Sequence, residues 1–225
     1  MMDERSAALY AQLKPFRALV AKTEGFIRWS LARVNNPYVA CSFGKDSSVM
    51  LHLMLKQNPD IPIVFVRRIE TELIDNYSEI INQWGKLNLR MISYRGWLEE
   101  DTEGKGISFA TRNINEFDSY FVGIRSDESV ARRISLRKHG IFFKHSSGKI
   151  RISPLSDWST NDIAVYCIAN KLPVLNKYLK EGFDARTTAA IPSKFPHESI
   201  SSLKRRDIQS YNKLLTLLPD AKYYI

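Results

Sequence analysis

Ser42-Phe43-Gly44-Lys45-Asp46-Ser47-Ser48 is the stretch of this chain best equipped to hold an anion. It follows a short apolar run, Tyr38 to Cys41, and precedes a helical pattern marked by Val49, Met50, Leu53 and Met54. A strand that empties through a one-glycine turn into a helix N-terminus brings together unpaired backbone N–H groups, the positive end of the helix dipole, a lysine and several hydroxyls. Phosphate is the expected guest. The same residues also read as an ordinary strand-to-helix corner in which Gly44 relieves strain and Asp46 and Ser47 cap the helix. A Walker A loop is excluded, since it needs two glycines four residues apart before Lys-Ser/Thr and only Gly44 is present.

A second chemical group is Gly123-Ile124-Arg125-Ser126-Asp127-Glu128-Ser129, with Arg132 and Arg133 beyond it. It follows the apolar run Tyr120 to Ile124, which places it at the carboxyl edge of a sheet, where open α/β folds bind ligands. An arginine fork there suits a phosphate or sulfate oxygen. Read structurally, Asp127 and Glu128 are instead first-turn acids paired with Arg132 at helical spacing. A third segment, Ile152 to Ser159 followed by Asp162, Tyr166 and Lys171-Leu172-Pro173, reads as architecture: Trp158 packs, Asp157 or Ser159 caps, and Pro173 ends a helix.

The elements that must position these groups alternate. Residues 3 to 34 carry apolar positions at helical spacing, with breaks expected at Pro15 and Gly25. Strands are expected at Tyr38–Cys41, Ile61–Val66, Leu89–Tyr94 and Tyr120–Ile124, and helices after the first loop, at Glu72–Leu87 and at Glu128–Lys138. A hairpin follows, Ile141–Lys144 and Lys149–Ile152 about the turn Ser146-Ser147-Gly148, then a helix from Ser159 to Asn170. Residues 95 to 115 read as a loop or lid, 182 to 196 as irregular, and 200 to 218 as mainly helical. The succession predicts a single α/β, Rossmann-like domain: a mostly parallel twisted sheet flanked by helices at 37–180, an N-terminal helical extension at 1–36 and a helical tail at 181–225 packing on the domain.

With 225 residues, 44% hydrophobic and 11% aromatic, the chain can bury a core without disulfides or a structural metal. Its two cysteines, Cys41 and Cys167, form no C-x-x-C pair, which argues against iron–sulfur and structural zinc sites and fits a reducing cytoplasm. The N-terminus lacks the basic-then-apolar order of a signal peptide, and no apolar run approaches a membrane span. A net charge of +9 points to a polyanionic partner, either a small nucleotide or nucleic acid. The cations cluster at Arg125 to Lys149 and Lys204 to Arg206.

These motifs carry a resemblance. Ser42 to Ser48 is similar to the pyrophosphate loop S-x-G-K-D-S of the adenine nucleotide alpha-hydrolases, in the phosphoadenylyl sulfate (PAPS) reductase and ATP sulfurylase small-subunit branch. Gly123 to Arg132 resembles that branch's G-x-R-x-[DE]-E-S-x-x-R, and Pro154 to Tyr166 its P-L-x-D-W segment. The resemblance implies that Ser42, Phe43, Gly44, Lys45, Asp46, Ser47 and Ser48 surround phosphate oxygens, with Asp46 bracing the turn or placing a magnesium ion. It implies that Gly123 permits close approach, that Arg125 contacts phosphate or sulfate, and that Glu128 orients Arg132. Lys45 and Arg125 would stabilise developing negative charge. Glu72, near the family's D-T-x-x-E pattern, would lie near adenosine. Arg67 and Arg68 depart from that pattern and would suit a 3′-phosphate. Arg186, Thr187 and Lys194 would close over the ligand, with His197 beside them a poor general base. Family reductases present a tail cysteine to attack sulfur; this tail has none, so reduction through the chain's own thiols is expected to fail. The expected activity is cleavage of ATP between the alpha and beta phosphates, with adenylyl transfer to an unknown acceptor and release of pyrophosphate. Two alternatives stand beside it: a PAPS-binding protein that needs an external thiol, and a non-catalytic nucleotide- or nucleic-acid-binding module of a modification or defence system.

Overall fold

The computed structural model describes residues 3–68, 76–94 and 114–185, and, nearer the C-terminus, residues 201, 204, 205, 207–217 and 219–224. Helix α1 (Glu4–Gln12) starts at Asp3, whose carboxylate accepts the Ser6 N–H at 2.7 Å. Helix α2 (Lys14–Leu31) restarts after Leu13 with Pro15 in its first turn, where a missing N–H costs nothing. The break expected at Gly25 does not occur. A lone helical glycine costs only about 1 kcal/mol, and α2 offsets it by burying Phe16, Thr23, Ile27 and Ser30.

The remaining elements are β1 (Pro37–Ala40), α3 (Lys45–Leu55), β2 (Ile63–Arg68), α4 (Tyr77–Gln83), β3 (Leu89–Tyr94), β4 (Ser119–Val122), α5 (Val130–His139), β5 (Phe142–Lys144), β6 (Ile150–Ile152), α6 (Thr160–Ala169), α7 (Asn176–Glu181) and α8 (Ile208–Leu217). A 3₁₀ segment, Pro219–Tyr224, follows α8. Helix α5 begins two residues later than its pattern predicts because Ser129 is its cap and accepts the Arg132 N–H. Helix α4 ends short of Leu87, with Gly85 at φ +72° just beyond it. Most of the expected 95–115 loop and most of the 182–196 stretch lie outside the described residues.

The six strands form one sheet in the order β3-β2-β1-β4-β6-β5, parallel throughout except for the β5–β6 hairpin. The chain leaves β1 toward β2 and β3 and then returns to its other side with β4. The carboxyl ends of β1 and β4 therefore flank the point where the winding reverses, and ligands of open parallel sheets bind at such a point. Side chains alternate between two faces. Val39, Ile63, Phe121, Ile152 and Phe142 share one face and join the main core with α2, α3, α4, α6 and α7. Tyr38, Tyr120, Arg151 and Phe143 share the other in consecutive register, near a smaller cluster of Tyr38, Val64 and Ile114.

Candidate functional site

Four residues make the turn between β1 and α3. Phe43 stands at φ +52°, a left-handed conformation uncommon without glycine. Its ring, fully buried, packs edge-on against Phe65 with centroids 5.2 Å apart, which holds the backbone there. Ser47 ties the turn together: its hydroxyl donates to the Gly44 carbonyl at 3.0 Å, accepts the Ser42 N–H at 3.2 Å and sits 3.1 Å from the Ser42 hydroxyl. Gly44 is the N-cap and supplies no side-chain hydrogen bond, so the first amides of α3 face the cleft without an internal acceptor. Ser42, Gly44, Asp46 and Ser47 line that cleft. Phe43 and Ser48 differ from the expectation that they surround phosphate. The Phe43 ring belongs to the core, and Ser48 is fully buried, its hydroxyl without a partner among the described residues.

The charges are organised around Asp46. Lys45 Nζ lies 2.6 Å from Asp46 Oδ2, and Arg125 Nε donates to Asp46 Oδ1 at 2.6 Å. Arg125 is 1% exposed. Its Nη1 donates to the Trp158 carbonyl at 3.1 Å and lies 3.4 Å from Asp127, and its Nη2 donates to Thr160 Oγ1 at 3.3 Å. Each guanidinium nitrogen thus has a protein acceptor. Arg125 forms part of the cleft wall, but its fork is spent on bracing Asp46 and the start of α6 and is not turned toward a ligand. Glu128 accepts the Arg125 backbone N–H at 2.9 Å and pairs with Arg132 one turn on. Gly123 is where the two loops meet: a Cβ there would stand 2.9 Å from the backbone C and O of Asp46, closer than real Cβ contacts allow.

Both Asp46 oxygens are occupied by cations, and among the described residues no three His, Cys, Asp or Glu side chains converge. This donor set does not make a magnesium site, and the expected metal role of Asp46 does not fit it.

The cleft has two lobes that share Asp46, Glu128 and Arg132. One, of about 330 Å³, has an apolar floor from the sheet face, Tyr38, Ala40, Val64, Val66 and Val122, with Tyr178 at its side. The other, of about 580 Å³, is walled by Lys45, Arg125, Asp127 and Thr160 and bounded by Phe183 to Ala185. A flat apolar ring suits the first and an anion the space beside Lys45. Arg67 lines neither lobe: it is half-buried on β2, with Nε donating to Ser93 Oγ at 3.1 Å. The side chain of Arg68, and Glu72, Arg186, Thr187, Lys194 and His197, lie outside the described residues.

Tyr178 and Thr160 carry no motif, and sequence reading missed them. Tyr178 is buried with its ring 5.9 Å from Lys45 Nζ. Thr160 acts through the turn it opens, its N–H donating to Asp127 at 3.1 Å. The two cysteines are each 2% exposed. Burial pushes the Cys41 thiol up to about 12. Burial, with a smaller push from the nearby Asp46 charge, drives Cys167 upward as well. A thiolate at either position is disfavoured at neutral pH.

The phosphoadenosine phosphosulfate reductase domain matches residues 36–185, a span that holds both loops and the whole sheet. This chain belongs to that family. It is 28% identical over 193 residues to a phosphoadenosine 5′-phosphosulfate reductase of Xanthomonas axonopodis pv. citri (strain 306), covering 74% of each chain. It is 30% identical over 195 residues to the enzyme of that name from Buchnera aphidicola subsp. Acyrthosiphon pisum (strain Tuc7), covering 72% of this chain and 75% of the relative. Its fold is also that of a Candida glabrata FMN adenylyltransferase solved with FMN and an ATP analogue (TM-score 0.53, 16% identity, 72% of this chain and 62% of that one). Among the described residues no helix is long and apolar enough to cross a membrane.

Proposed function

We propose that this family member binds phosphoadenylyl sulfate in the two-lobed cleft and that the nucleophile for its reaction comes from a second molecule. The observation that carries this reading is an open anion cradle in a chain whose two cysteines are both buried with raised thiol pKa values. The relatives' names move the preferred nucleotide from ATP to phosphoadenylyl sulfate.

Adenine lies on the apolar floor and the phosphosulfate reaches the N-terminus of α3. A thiolate of an external dithiol attacks the sulfur, and the sulfur–oxygen bond to phosphate breaks. Adenosine 3′,5′-bisphosphate leaves with the electron pair, and the charge gained on its phosphate is met by Lys45 and the free amides of α3. The donor's second thiol then displaces sulfite from the S-sulfonate; the dithiol is oxidised to a disulfide and the sulfur is reduced. Within the chain, Lys45 and the amides bind and stabilise, while Arg125, Asp46 and Gly123 keep the two loops in register.

A second reading, ATP cleavage between its alpha and beta phosphates with adenylyl transfer to an acceptor oxygen, is favoured by the absence of an accessible thiol among the described residues. Two parallel assays separate the readings: sulfite release from phosphoadenylyl sulfate with a dithiol donor, and pyrophosphate release from ATP. Sulfite release that persists in a Cys41→Ala/Cys167→Ala variant supports the first reading. Pyrophosphate release without sulfite supports the second. Sulfite release that vanishes in a folded double variant sinks the external nucleophile.

A further inference from the structure

The sheet face that floors the apolar lobe continues, away from β2, as a row of rings and cations of which only Tyr38 also lines that lobe. Register places Tyr38, Tyr120, Arg151 and Phe143 side by side across β1, β4, β6 and β5. Tyr38 stacks on Tyr120 with centroids 5.7 Å apart, and Tyr120 stacks on His145, to which its hydroxyl is hydrogen-bonded at 3.1 Å. His145 meets Phe143 edge-on at 4.7 Å, and His139 at the end of α5 lies 4.3 Å from the same ring. The Arg151 guanidinium lies 5.5 Å from the Phe143 centroid, a cation–π distance.

The segment that builds the Arg151, Phe143 and His145 end of this row is one-sided in charge. From Ser129 to Ser156 the chain carries seven arginines and lysines and no aspartate or glutamate. Among the described residues, Nε and Nη2 of Arg151 and the hydroxyl of Tyr38 are buried without a hydrogen-bond partner. Lys138, exposed near the end of α5, extends the positive field beyond the rings, while Lys144 falls on the opposite face with Phe142.

We propose that this half of the sheet face, β4-β6-β5 with the end of α5, binds single-stranded nucleic acid. Phosphodiesters are drawn into the positive field of Lys138 and Arg151, and bases stack on Phe143 and His145. Charge complementarity argues for a polyanion, and half-buried rings interleaved with a guanidinium select one that carries flat bases. A duplex, with its bases already stacked, could use only the cations. The inference holds whichever small nucleotide fills the cleft and whether or not that nucleotide is turned over.

The test is fluorescence anisotropy of the full chain with a labelled oligo(dT) of about 12 nucleotides, a length within the usual site size of one single-strand-binding module, titrated across salt, and with a duplex of the same length. Single strand should bind more tightly than duplex, with affinity falling as salt rises. Phe143→Ala should weaken single-strand binding about tenfold. Lys138→Gln should reduce the salt slope by roughly 0.7 for the phosphate no longer neutralised. Lys138 lies outside the core, so this variant keeps the test decisive if Phe143→Ala misfolds. Absence of binding at low salt overturns the proposal. So does equal affinity for duplex, or binding unchanged in Lys138→Gln but lost in Lys204→Gln/Arg205→Gln. Nucleotide binding at the Ser42–Ser48 loop, followed calorimetrically in the same variants, is expected to persist; its loss together with nucleic-acid binding would overturn the independence of the two sites.

Discussion

The β1–α3 and β4–α5 corners follow the same plan, strand, tight turn and helix start, at adjacent strand ends, yet they are finished differently. At the first, α3 starts from Gly44 with no side-chain cap, and Ser47 spends its hydroxyl on the turn and leaves the amides open. At the second, the Ser129 hydroxyl caps α5, the Glu128 carboxylate takes the Arg125 N–H, and the Arg125 side chain is consumed by three elements. Among the described residues the first corner keeps uncapped amides beside Lys45, whereas the second has its cap and its arginine side chain already engaged. Equal sequence signals for a helix N-terminus can therefore mark a binding site in one place and a brace in another, and what separates them is whether the donors are already answered.

Arg125→Ala strikes the brace hardest. It leaves Asp46 short of a buried partner and should cost about 3–5 kcal/mol of stability, read as a lower urea midpoint at unchanged m-value. A stable Arg125→Ala protein that has lost only nucleotide binding would reverse the roles assigned to the two corners. Lys45→Ala should lower the urea midpoint less, since Asp46 keeps Arg125, while weakening nucleotide affinity roughly 10- to 100-fold, as expected for losing a charge-assisted bond; isothermal titration calorimetry measures it. Gly123→Ala forces the corners apart and should cost about 1–3 kcal/mol. Its nucleotide affinity should fall as well, because the displaced backbone belongs to Asp46. Ser129→Ala is the mildest, removing one cap worth about 1 kcal/mol with nucleotide affinity unchanged within about twofold.

The first corner was legible because its chemistry is local: Ser42, Gly44, Lys45 and Ser47 are neighbours in the chain, and strand-to-helix patterning fixes the turn between them. The alternating pattern and the hairpin likewise gave the parallel sheet with its one antiparallel edge. Arg125 was legible as a site residue but not as a brace, since its main partner, Asp46, is 79 residues away and nothing in the spacing announces the pairing. Tyr178 was invisible for the same reason. Ser48 was misplaced because a loop serine and the first buried residue of a helix look alike until the helix phase is known. Gly25 misled through propensity alone, where packing on both sides decides.

Trp158 has one consequence for where this domain begins. Its carbonyl accepts Arg125, while its indole N–H donates at 2.9 Å to Thr23 of α2, 135 residues away in the chain. Tyr10 of α1 reaches Asp162 of α6 in the same way. A fragment excised at residue 36, where the family match starts, would contain every loop residue of the cleft and still strip the far side of the residue that anchors Arg125. The first two helices thus work as a keystone for the binding edge, and a cut that respects the homology would sever the mechanical link on which the edge depends.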